Sequence, residues 1–265
     1  MRRQALQVLG VDFTSAPRRG KAITVAHGFF EKNLLRIEKI EGLEKFHEFE
    51  ALLRRPGPWI GGFDFPFGLP RELVRDLGWP RDWRKLVAFC AGLSRHEWRG
   101  ILDGYRATRP AGSKYAHRKT DLPAGSSSPM KLVNPPVALM FHEGAPRLAE
   151  AGVHIPGLAE GDRSRVALEA YPGLFARGLI GRTSYKNDSK AKQTAARRRA
   201  RAKIFSGLPI KVKMAMQHQL IDDPSGDSLD AVICAVQAAW GWQRRRRNYG
   251  LPARIEACEG WIVSA

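Results

Sequence analysis

The 265-residue sequence contains little cysteine and no long apolar run. Its three cysteines, Cys90, Cys234 and Cys258, are odd in number and widely spaced, so neither a zinc site nor a disulfide framework is predicted. We expect buried or idle thiols. No stretch reaches the roughly 20 apolar residues that a bilayer-spanning helix needs, and the start, MRRQALQVLGVDF, lacks the apolar core of a signal peptide. These absences predict a soluble, cytoplasmic protein without a membrane partner.

Acidic residues are scarce relative to basic ones. The sequence has 44 Lys and Arg against 26 Asp and Glu, a formal net charge of +18. Residues 182–213 contain eleven basic side chains and one acid, Asp188, and a second basic block runs from Arg244 to Arg247. Such an excess favours polyanionic partners, because neutralising phosphates releases counterions. A solvated basic face without a partner is the alternative interpretation.

The remaining composition is typical of a folded chain with many turns. An apolar content of 43% is sufficient for a sizeable core, while 26 glycines and 17 prolines indicate frequent turns. The middle of the chain shows no clear linker. We therefore interpret residues 1–265 as a single domain, with an inserted helical and flap region at about 70–160.

Apolar and strand-like runs predict five strands, interrupted by helices. The first three runs are joined by short turn sequences and predict an antiparallel meander, which a helix and a fourth strand follow. The predicted strands are residues 5–13, 21–30, 33–40, 58–65 and 165–173. This order, β-β-β-α-β followed by helices, a fifth strand and a last helix, predicts an α/β fold.

Helical periodicity covers much of the rest of the chain. The predicted helices are residues 43–55, 70–78, 82–92, 94–107, 136–152, 188–208, 211–222 and 225–242. Residues 108–136 break this periodicity and are predicted to form a long functional loop or flap, because structureless segments of that length usually serve a site. The last helix has a face of small residues suited to close packing on a sheet: Ala231, Cys234, Ala235 and Ala238.

Carboxylates recur near the ends of the apolar strands. Asp12 ends VLGVD, Asp64 ends IGGFD, and Glu169 lies in VALEA. Asp227 and Asp230 are three residues apart on the last helix and share one face. A charge within an apolar strand is costly unless it is paired or bound to a cation. The pattern therefore predicts that these five acids converge on one centre.

Clustered carboxylates repel one another unless cations neutralise them, and oxygen ligands suit Mg²⁺ or Mn²⁺. Two such ions roughly 4 Å apart can activate a water and stabilise the leaving oxygen in phosphodiester cleavage. Singly, each acid has an ordinary alternative. Asp12 would close a turn, Asp64 would cap the next helix and Asp227 would be an N-cap. The joint pattern favours a two-ion centre.

Other polar residues are candidates for the same site. Lys186, in the sequence SYK, would reach a scissile phosphate, or would be a surface lysine. His117 and His142 are candidates for proton transfer, with a structural role as the alternative. Thr14 and Ser15 would bind a ligand phosphate or close the turn after the first strand. The flap residues that combine cations with an aromatic ring, as a nucleic-acid clamp does, are Arg106, Arg109, Lys114, Arg118, Lys119 and Tyr115.

Five segments in fixed order carry a family resemblance: GVDFTSAP, GGFDFPFGLP, LEAYPG, SYK and GDSLDAVICA. Together they resemble the family of predicted nucleases called domain of unknown function 429, which is assigned a ribonuclease H-like fold. The resemblance covers most of the chain. It implies a mixed five-stranded sheet, an antiparallel meander plus parallel strands, flanked by helices.

The resemblance also implies roles for the acids. Asp12, Asp64 and Asp230 would be the core ligands of Mg²⁺ or Mn²⁺, with Asp227 and Glu169 as further ligands or water-positioning groups. The fourth-strand acid is an Asp where many ribonuclease H-like enzymes have a Glu, and its shorter reach puts its direct metal contact in question.

The sequence therefore predicts a metal-dependent nuclease that hydrolyses phosphodiester bonds of DNA or RNA. The residues predicted to hold the nucleic-acid backbone are Lys190, Lys192, Arg197, Arg198, Arg199, Arg201 and Lys203. A non-catalytic nucleic-acid-binding protein is one alternative, which five acids disfavour unless they carry metal. An actin- or sugar-kinase-like ATP-binding phosphotransferase is another. It predicts a second glycine-rich phosphate motif, which the sequence lacks.

Overall fold

The computed structural model describes residues 5–187 and 193–265, which form a seven-stranded mixed sheet with helices packed on both faces. The strands are β1 (Leu6–Asp12), β2 (Ile23–Glu31), β3 (Leu34–Leu43), β4 (Trp59–Asp64), β5 (Val153–His154), β6 (Asp162–Glu169) and β7 (Lys211–Lys213). Their spatial order is β5-β6-β4-β1-β2-β3-β7. The α/β class predicted from the sequence is thus confirmed.

Strand directions divide the sheet into two parts. β1, β2 and β3 form the predicted antiparallel meander, while β4 pairs in parallel with both β1 and β6. The five predicted strands are all present. Two short parallel edge strands, β5 beside β6 and β7 beside β3, were not predicted, so the sheet has seven strands instead of five. With two and three residues, they are too short to show a hydrophobic period.

Ten α-helices lie between or beside these strands in the described ranges. They are α1 (Phe46–Leu53), α2 (Arg71–Asp76), α3 (Trp83–Ala91), α4 (Arg95–Thr108), α5 (Asp121–Ala124), α6 (Val137–Ala151), α7 (Pro172–Ile180), α8 (Ala195–Ser206), α9 (Gln217–Asp222) and α10 (Asp227–Gln243). Part of the helix predicted at 188–208 lies outside the described residues, and α8 begins after Thr194, whose hydroxyl accepts a hydrogen bond from the Arg197 amide. The helix predicted at 211–222 is wrong in its first half, because Lys211–Lys213 pairs with β3.

The residues of β1 alternate between the two faces of the sheet. Leu9 and Val11 pack in the core beneath α1, α3, α4 and α6, whereas Leu6 and Val8 pack against α10. Strand alternation of this kind buries both faces of a central strand. Asp12, the last residue of β1, consequently lies at the end of a strand that is covered on both sides.

Two glycines let α10 contact the sheet backbone directly. A Cβ added at Gly10 would lie 2.0 Å from the Ala231 carbonyl oxygen, and one added at Gly62 would lie 2.2 Å from that of Cys234. Neither space admits a side chain, so the helix and the strands meet backbone to backbone. The predicted small-residue face of the last helix is confirmed. The first turn of α10 is thereby brought to the ends of β1 and β4.

The segment between α4 and α6 is packed into the protein. Arg118, Thr120, Ser128 and Met130 are all less than 4% exposed, and α5 lies within the segment. Arg118 therefore belongs neither to an outward-facing clamp nor to a solvated loop, and that interpretation of this residue is wrong. Its guanidinium is bound inside the protein, where the sequence pattern gave no sign of a partner.

The absences noted in the sequence have structural counterparts. All three cysteines, Cys90, Cys234 and Cys258, are free and buried, as expected. Burial raises the pKa of the Cys90 thiol to about 12. Among the helices of the described residues, none has both the length and the apolar character needed to cross a bilayer.

Candidate functional site

A cavity of about 680 Å³ lies where the parallel strands β1, β4 and β6 end. The carboxyl ends of parallel strands meet at one edge of a sheet, where ligands of open α/β folds commonly bind. All five acids singled out from the sequence line this cavity: Asp12, Asp64, Glu169, Asp227 and Asp230. Lys186 lines it as well. The fold thus brings together five acids from four remote segments.

Asp12 and Asp64 are direct neighbours in the sheet, paired in register between β1 and β4. Within residues 5–187 and 193–265, no donor forms a hydrogen bond with either carboxylate. Burial raises the pKa of Asp12 well above its ordinary value, although Lys186 opposes the shift. Burial, together with the Asp230 charge, raises the pKa of Asp64 to about 7. Both groups would therefore be stabilised by a cation.

Asp230 has partners within the protein. The carboxylate is 1% exposed; it accepts a hydrogen bond of 2.7 Å from the Tyr185 hydroxyl and one from the Lys186 ammonium. Burial would lower the pKa of Lys186, but Asp230 and other acidic groups raise it well above its ordinary value. Lys186 therefore stays protonated and places a positive charge beside the acids. Two residues of the SYK segment thus contact Asp230, because Tyr185 binds one carboxylate oxygen and Lys186 binds the other.

Asp227 is the first residue of α10, directly after its N-cap Gly226. Asp223 supplies the local carboxylate hydrogen bonds instead, accepting from the Ser225 hydroxyl at 2.7 Å and from the Ser228 amide at 3.0 Å. The alternative interpretation of Asp227 as the N-cap is therefore wrong. Burial raises its pKa. The carboxylate lines the cavity at the positive end of the helix dipole, where an anion is favoured.

Glu169 lines the cavity but has a buried partner of its own. Its oxygens accept hydrogen bonds of 2.8 and 2.7 Å from Arg118 and one of 3.0 Å from the Phe67 amide. Arg118 also donates to Asp121 at 2.9 Å. Burial raises the pKa of Glu169 even though Arg118 opposes the shift. Glu169 therefore forms a buried ion pair with Arg118. This pairing does not favour its predicted role as a further metal ligand or water-positioning group.

The acids suit a divalent cation that is bound by few protein ligands. No group of three or more His, Cys, Asp or Glu side chains is arranged as a metal site in the part of the chain that the structure describes. Mg²⁺ usually keeps several waters and is held by one or two carboxylates plus substrate phosphates. Asp12 and Asp64 fit that requirement, since no donor in residues 5–187 and 193–265 occupies their oxygens. A second ion at Asp230 would require Lys186 to move away.

Arg201 differs from the other residues predicted to bind nucleic acid. It is 3% exposed and donates hydrogen bonds of 2.7 Å to the carbonyl oxygens of Ile221 and Tyr185. Its guanidinium therefore holds the SYK segment against α8 and does not face an external phosphate. The outward role predicted for this residue is wrong, because its neighbours along the helix gave no indication that this one position faces inward.

The remaining basic residues of α8 lie nearer the surface. Arg199 and Lys203 are exposed. Arg198 is exposed too and pairs with Asp222 at 2.7 Å, while Arg197 lies 3.4 Å from the Ser184 hydroxyl. The predicted phosphate-binding residues Lys190 and Lys192 lie outside the described residues. The described part of α8 thus leaves a basic surface next to the segment that carries Lys186.

The second basic block lies far from the acids. Arg244 stacks over the Trp240 ring at 3.8 Å, and Arg245 stacks over Trp242 at 4.5 Å. Both arginines follow the C-terminal end of α10, whose 17 residues span about 25 Å. Cations at this end stabilise the helix dipole. The block therefore has a structural explanation that does not involve the cavity.

Neither candidate histidine lines the cavity that the described residues form. His142 is 9% exposed, bonds the Leu93 carbonyl at 2.9 Å and stacks on Trp98. His117 is exposed. The structural alternative holds for His142, and nothing in this geometry assigns proton transfer to His117.

Sequence reasoning missed part of the cavity lining. Tyr171 and Lys21 both line it, and Tyr171 lies within the LEAYPG segment two residues after Glu169. The position of Tyr171 close to Glu169 in the sequence could have indicated that it lines the site. Thr14 and Ser15 line the cavity as well, and the Thr14 hydroxyl accepts a 3.4 Å hydrogen bond from the Ala16 amide, which closes the turn.

Replacing Asp64 with Asn tests the repulsion among the acids. Because folding raises the pKa of Asp64 from 3.8 to about 7, this group contributes stability that is complete only below about pH 3.8 and is lost progressively as the pH rises to about 7. In chelator, we expect Asp64→Asn to melt several degrees above wild type at pH 8, with a much smaller gain at pH 4.5. Thermal unfolding at both values measures this, with Asp103→Asn as the exposed control. A gain that does not depend on pH would contradict the assignment.

The fold and its cavity define an α/β protein with paired carboxylates at the ends of adjacent parallel strands. The chain belongs to the family described as "Protein of unknown function (DUF429)", whose model matches residues 10–254. This family is the one that the sequence motifs indicated. No curated protein and no solved structure matches the chain.

Proposed function

We propose that the protein is a metal-dependent nuclease, a phosphodiesterase acting on nucleic acid, with a ribonuclease H-like fold. The order β6-β4-β1-β2-β3 of the five longer strands, with a meander next to two parallel strands, supports this fold. The acids at the ends of β1 and β4 and on the last helix are where the resemblance implied metal ligands.

The pairing of Asp12 with Asp64 is the observation that carries the proposal. Two adjacent carboxylates in a cavity, with raised pKa values and no donor from the described residues, are costly to a fold that has no cation to bind there. Perturbed groups of this kind are typical of functional sites. A purely structural role would instead provide a partner, as Arg118 does for Glu169.

The acids and Lys186 would have different roles in the reaction. Asp12 and Asp64 would hold Mg²⁺ or Mn²⁺, and such an ion supplies charge neutralisation and water activation in phosphodiester hydrolysis. Lys186 places a cation beside them that stabilises charge on the phosphate. Asp227, which has no capping role and lines the same cavity, would orient the attacking water. Asp230 and Tyr185 hold the Lys186 segment in place.

The basic surface of α8 supports a nucleic-acid partner. Replacing Arg197, Arg198 and Arg199 with Ala is expected to weaken binding of single-stranded DNA. The slope of log affinity against log salt concentration should also become shallower by up to about two, since each lost phosphate contact removes about 0.7 from it. Fluorescence anisotropy from low to high salt measures this. The matched control removes three exposed arginines at the far end of α10: Arg245, Arg246 and Arg247. Equal effects of both triple variants would show that net charge alone governs binding.

A cleavage panel tests the proposal directly. Labelled single-stranded, duplex and branched DNA and RNA are incubated with Mn²⁺, with Mg²⁺ or with chelator. We expect cleavage with either ion and none in chelator, and we expect calorimetry to show Mn²⁺ binding that Asp64→Asn weakens by at least about tenfold. Nucleic-acid binding without cleavage or metal binding would refute the nuclease and favour a binding module.

A further inference from the structure

We propose that the cavity encloses one unpaired nucleoside next to the reacting phosphodiester. The substrates are then single strands or small nucleotides, and the interior of a duplex is excluded. This inference rests on the proposed function and adds a substrate class to it. Four features of the described residues carry it: the size of the cavity, its lining, its fixed wall and its recessed acids.

The size of the cavity is that of a small-molecule site. Its volume of about 680 Å³ lies within the roughly 300–1,000 Å³ typical of ligand pockets. An open groove that follows a double helix would present the acids on a broad surface. Here the same cavity that contains Asp12, Asp64 and Lys186 extends from them to Met140 on α6. The acids therefore share one concave, partly open space with a region that can hold part of a ligand.

The lining away from the acids suits a nucleoside. Aromatic and aliphatic side chains form most of it, among them Tyr171, Val137 and Met140. Bases bind such surfaces by stacking and apolar contact, which tolerates any base identity. Asn134, which has both donor and acceptor groups, lines the same space and can bond a base edge or a sugar hydroxyl. A bare phosphate diester would leave these surfaces unused.

The wall contributed by the segment between α4 and α6 is fixed in place. Besides the Arg118–Glu169 pair, the Lys119 amide donates to Glu259 at 3.0 Å. The Ser128 hydroxyl donates to the Ala116 carbonyl at 2.5 Å. Ser126 and Ser127, between these attachments, line the cavity. These bonds attach the start of the wall to Glu169 and Glu259 and close the segment on itself, which disfavours opening around a duplex.

The acids lie at the bottom of this space. Asp230 is 1% exposed, and Asp12 and Asp64 are at most partly exposed. A phosphate inside a duplex is flanked by stacked, paired bases, so its neighbouring nucleoside must leave the stack before the phosphate reaches the acids. Single strands do not incur that cost. We expect a preference for unpaired substrate on the order of 100-fold, the size expected from unstacking and unpairing one nucleotide.

Competing substrates test the inference. Purified full-length protein with Mn²⁺ is given thymidylyl-thymidine, linear and circular single-stranded DNA, blunt duplex DNA and bis(p-nitrophenyl) phosphate, which has no nucleoside. Cleavage of the dinucleotide or the single strands at least about 100 times faster than the duplex supports the inference. Circular single-stranded DNA has no ends, so its cleavage shows that the cavity accepts unpaired nucleotides within a strand and not only small nucleotides or strand ends. A duplex cut as fast as a single strand overturns the inference and leaves the nuclease proposal intact.

A cavity-filling variant provides the matched control. Val137→Trp places a large ring in the cavity, whereas Val133→Trp places the same ring on the surface, where Val133 is 63% exposed. We expect KM for thymidylyl-thymidine to rise at least tenfold in Val137→Trp and to stay unchanged in Val133→Trp. Unchanged KM in both variants overturns the inference. Metal-dependent cleavage of bis(p-nitrophenyl) phosphate alone also overturns it, while no cleavage of any substrate refutes the proposed function itself.

Discussion

Replacing Asp12 with Asn is expected to lower Mn²⁺-dependent cleavage by about three orders of magnitude or more. The variant keeps the shape of the side chain but removes the charge that would bind the ion. A bound metal ion contributes several kcal/mol of transition-state stabilisation, and each 1.4 kcal/mol corresponds to a factor of ten in rate. The measurement is kcat/KM on the best substrate of the cleavage panel, with saturating Mn²⁺.

Two controls separate a lost ligand from a damaged fold. Burial and neighbouring acids raise the pKa of Asp12, so Asp12→Asn removes a source of repulsion, and its melting temperature in chelator is expected to equal or exceed that of wild type. Asp103→Asn, an exposed acid on α4 paired with Arg106, is expected to keep full activity. If Asp12→Asn cleaves at the wild-type rate, the proposed metal site is wrong.

Arg118→Ala is expected to destabilise the protein by about 3–5 kcal/mol, the range for breaking a buried ion pair. Arg118 is 2% exposed, and its removal leaves the buried carboxylates of Glu169 and Asp121 without their cation. An uncompensated buried charge costs more than the pair contributed. Urea unfolding followed by circular dichroism measures the change in the free energy of unfolding.

The neighbouring residue supplies the matched control for Arg118. Lys119 pairs with Glu256, but its side chain is 65% exposed, so Lys119→Ala is expected to change stability by less than about 0.5 kcal/mol. Combining Arg118→Met with Glu169→Gln should cost less than the sum of the two single changes, because they share one interaction. Strict additivity of the two changes would contradict the pairing.

The sequence was most informative about the sheet and the convergence of the acids. Apolar or alternating runs located the five longer strands, and those of β1 and β4 are largely apolar because both faces of these strands are buried. Asp12 and Asp64 were recognisable because a carboxylate is unusual in such a run. β7 was missed, and the helix predicted at 211–222 replaced it, because Lys211–Lys213 is too short for its period to compete with the helical pattern that follows.

The partners of the acids could not be predicted. Glu169 and Asp64 occupy equivalent places in the sequence, each near the end of an apolar strand, yet Arg118 binds the first while no described donor binds the second. Arg118 lies 51 residues before Glu169, and Lys186 lies 44 residues before Asp230. A periodic pattern reports which face of an element is buried and contains no information on which distant side chain meets it.

The backbone contact of α10 with Gly10 and Gly62 also determines when, during synthesis, the centre can exist. A ribosome releases the strands that carry Asp12 and Asp64 more than 160 residues before it releases Asp227. Until α10 emerges, the nascent sheet lacks the helix that covers Leu6 and Val8, and its two strand-end acids lie together without the last two. The nascent chain therefore acquires its apolar cover and its complete acidic centre in the same late docking step.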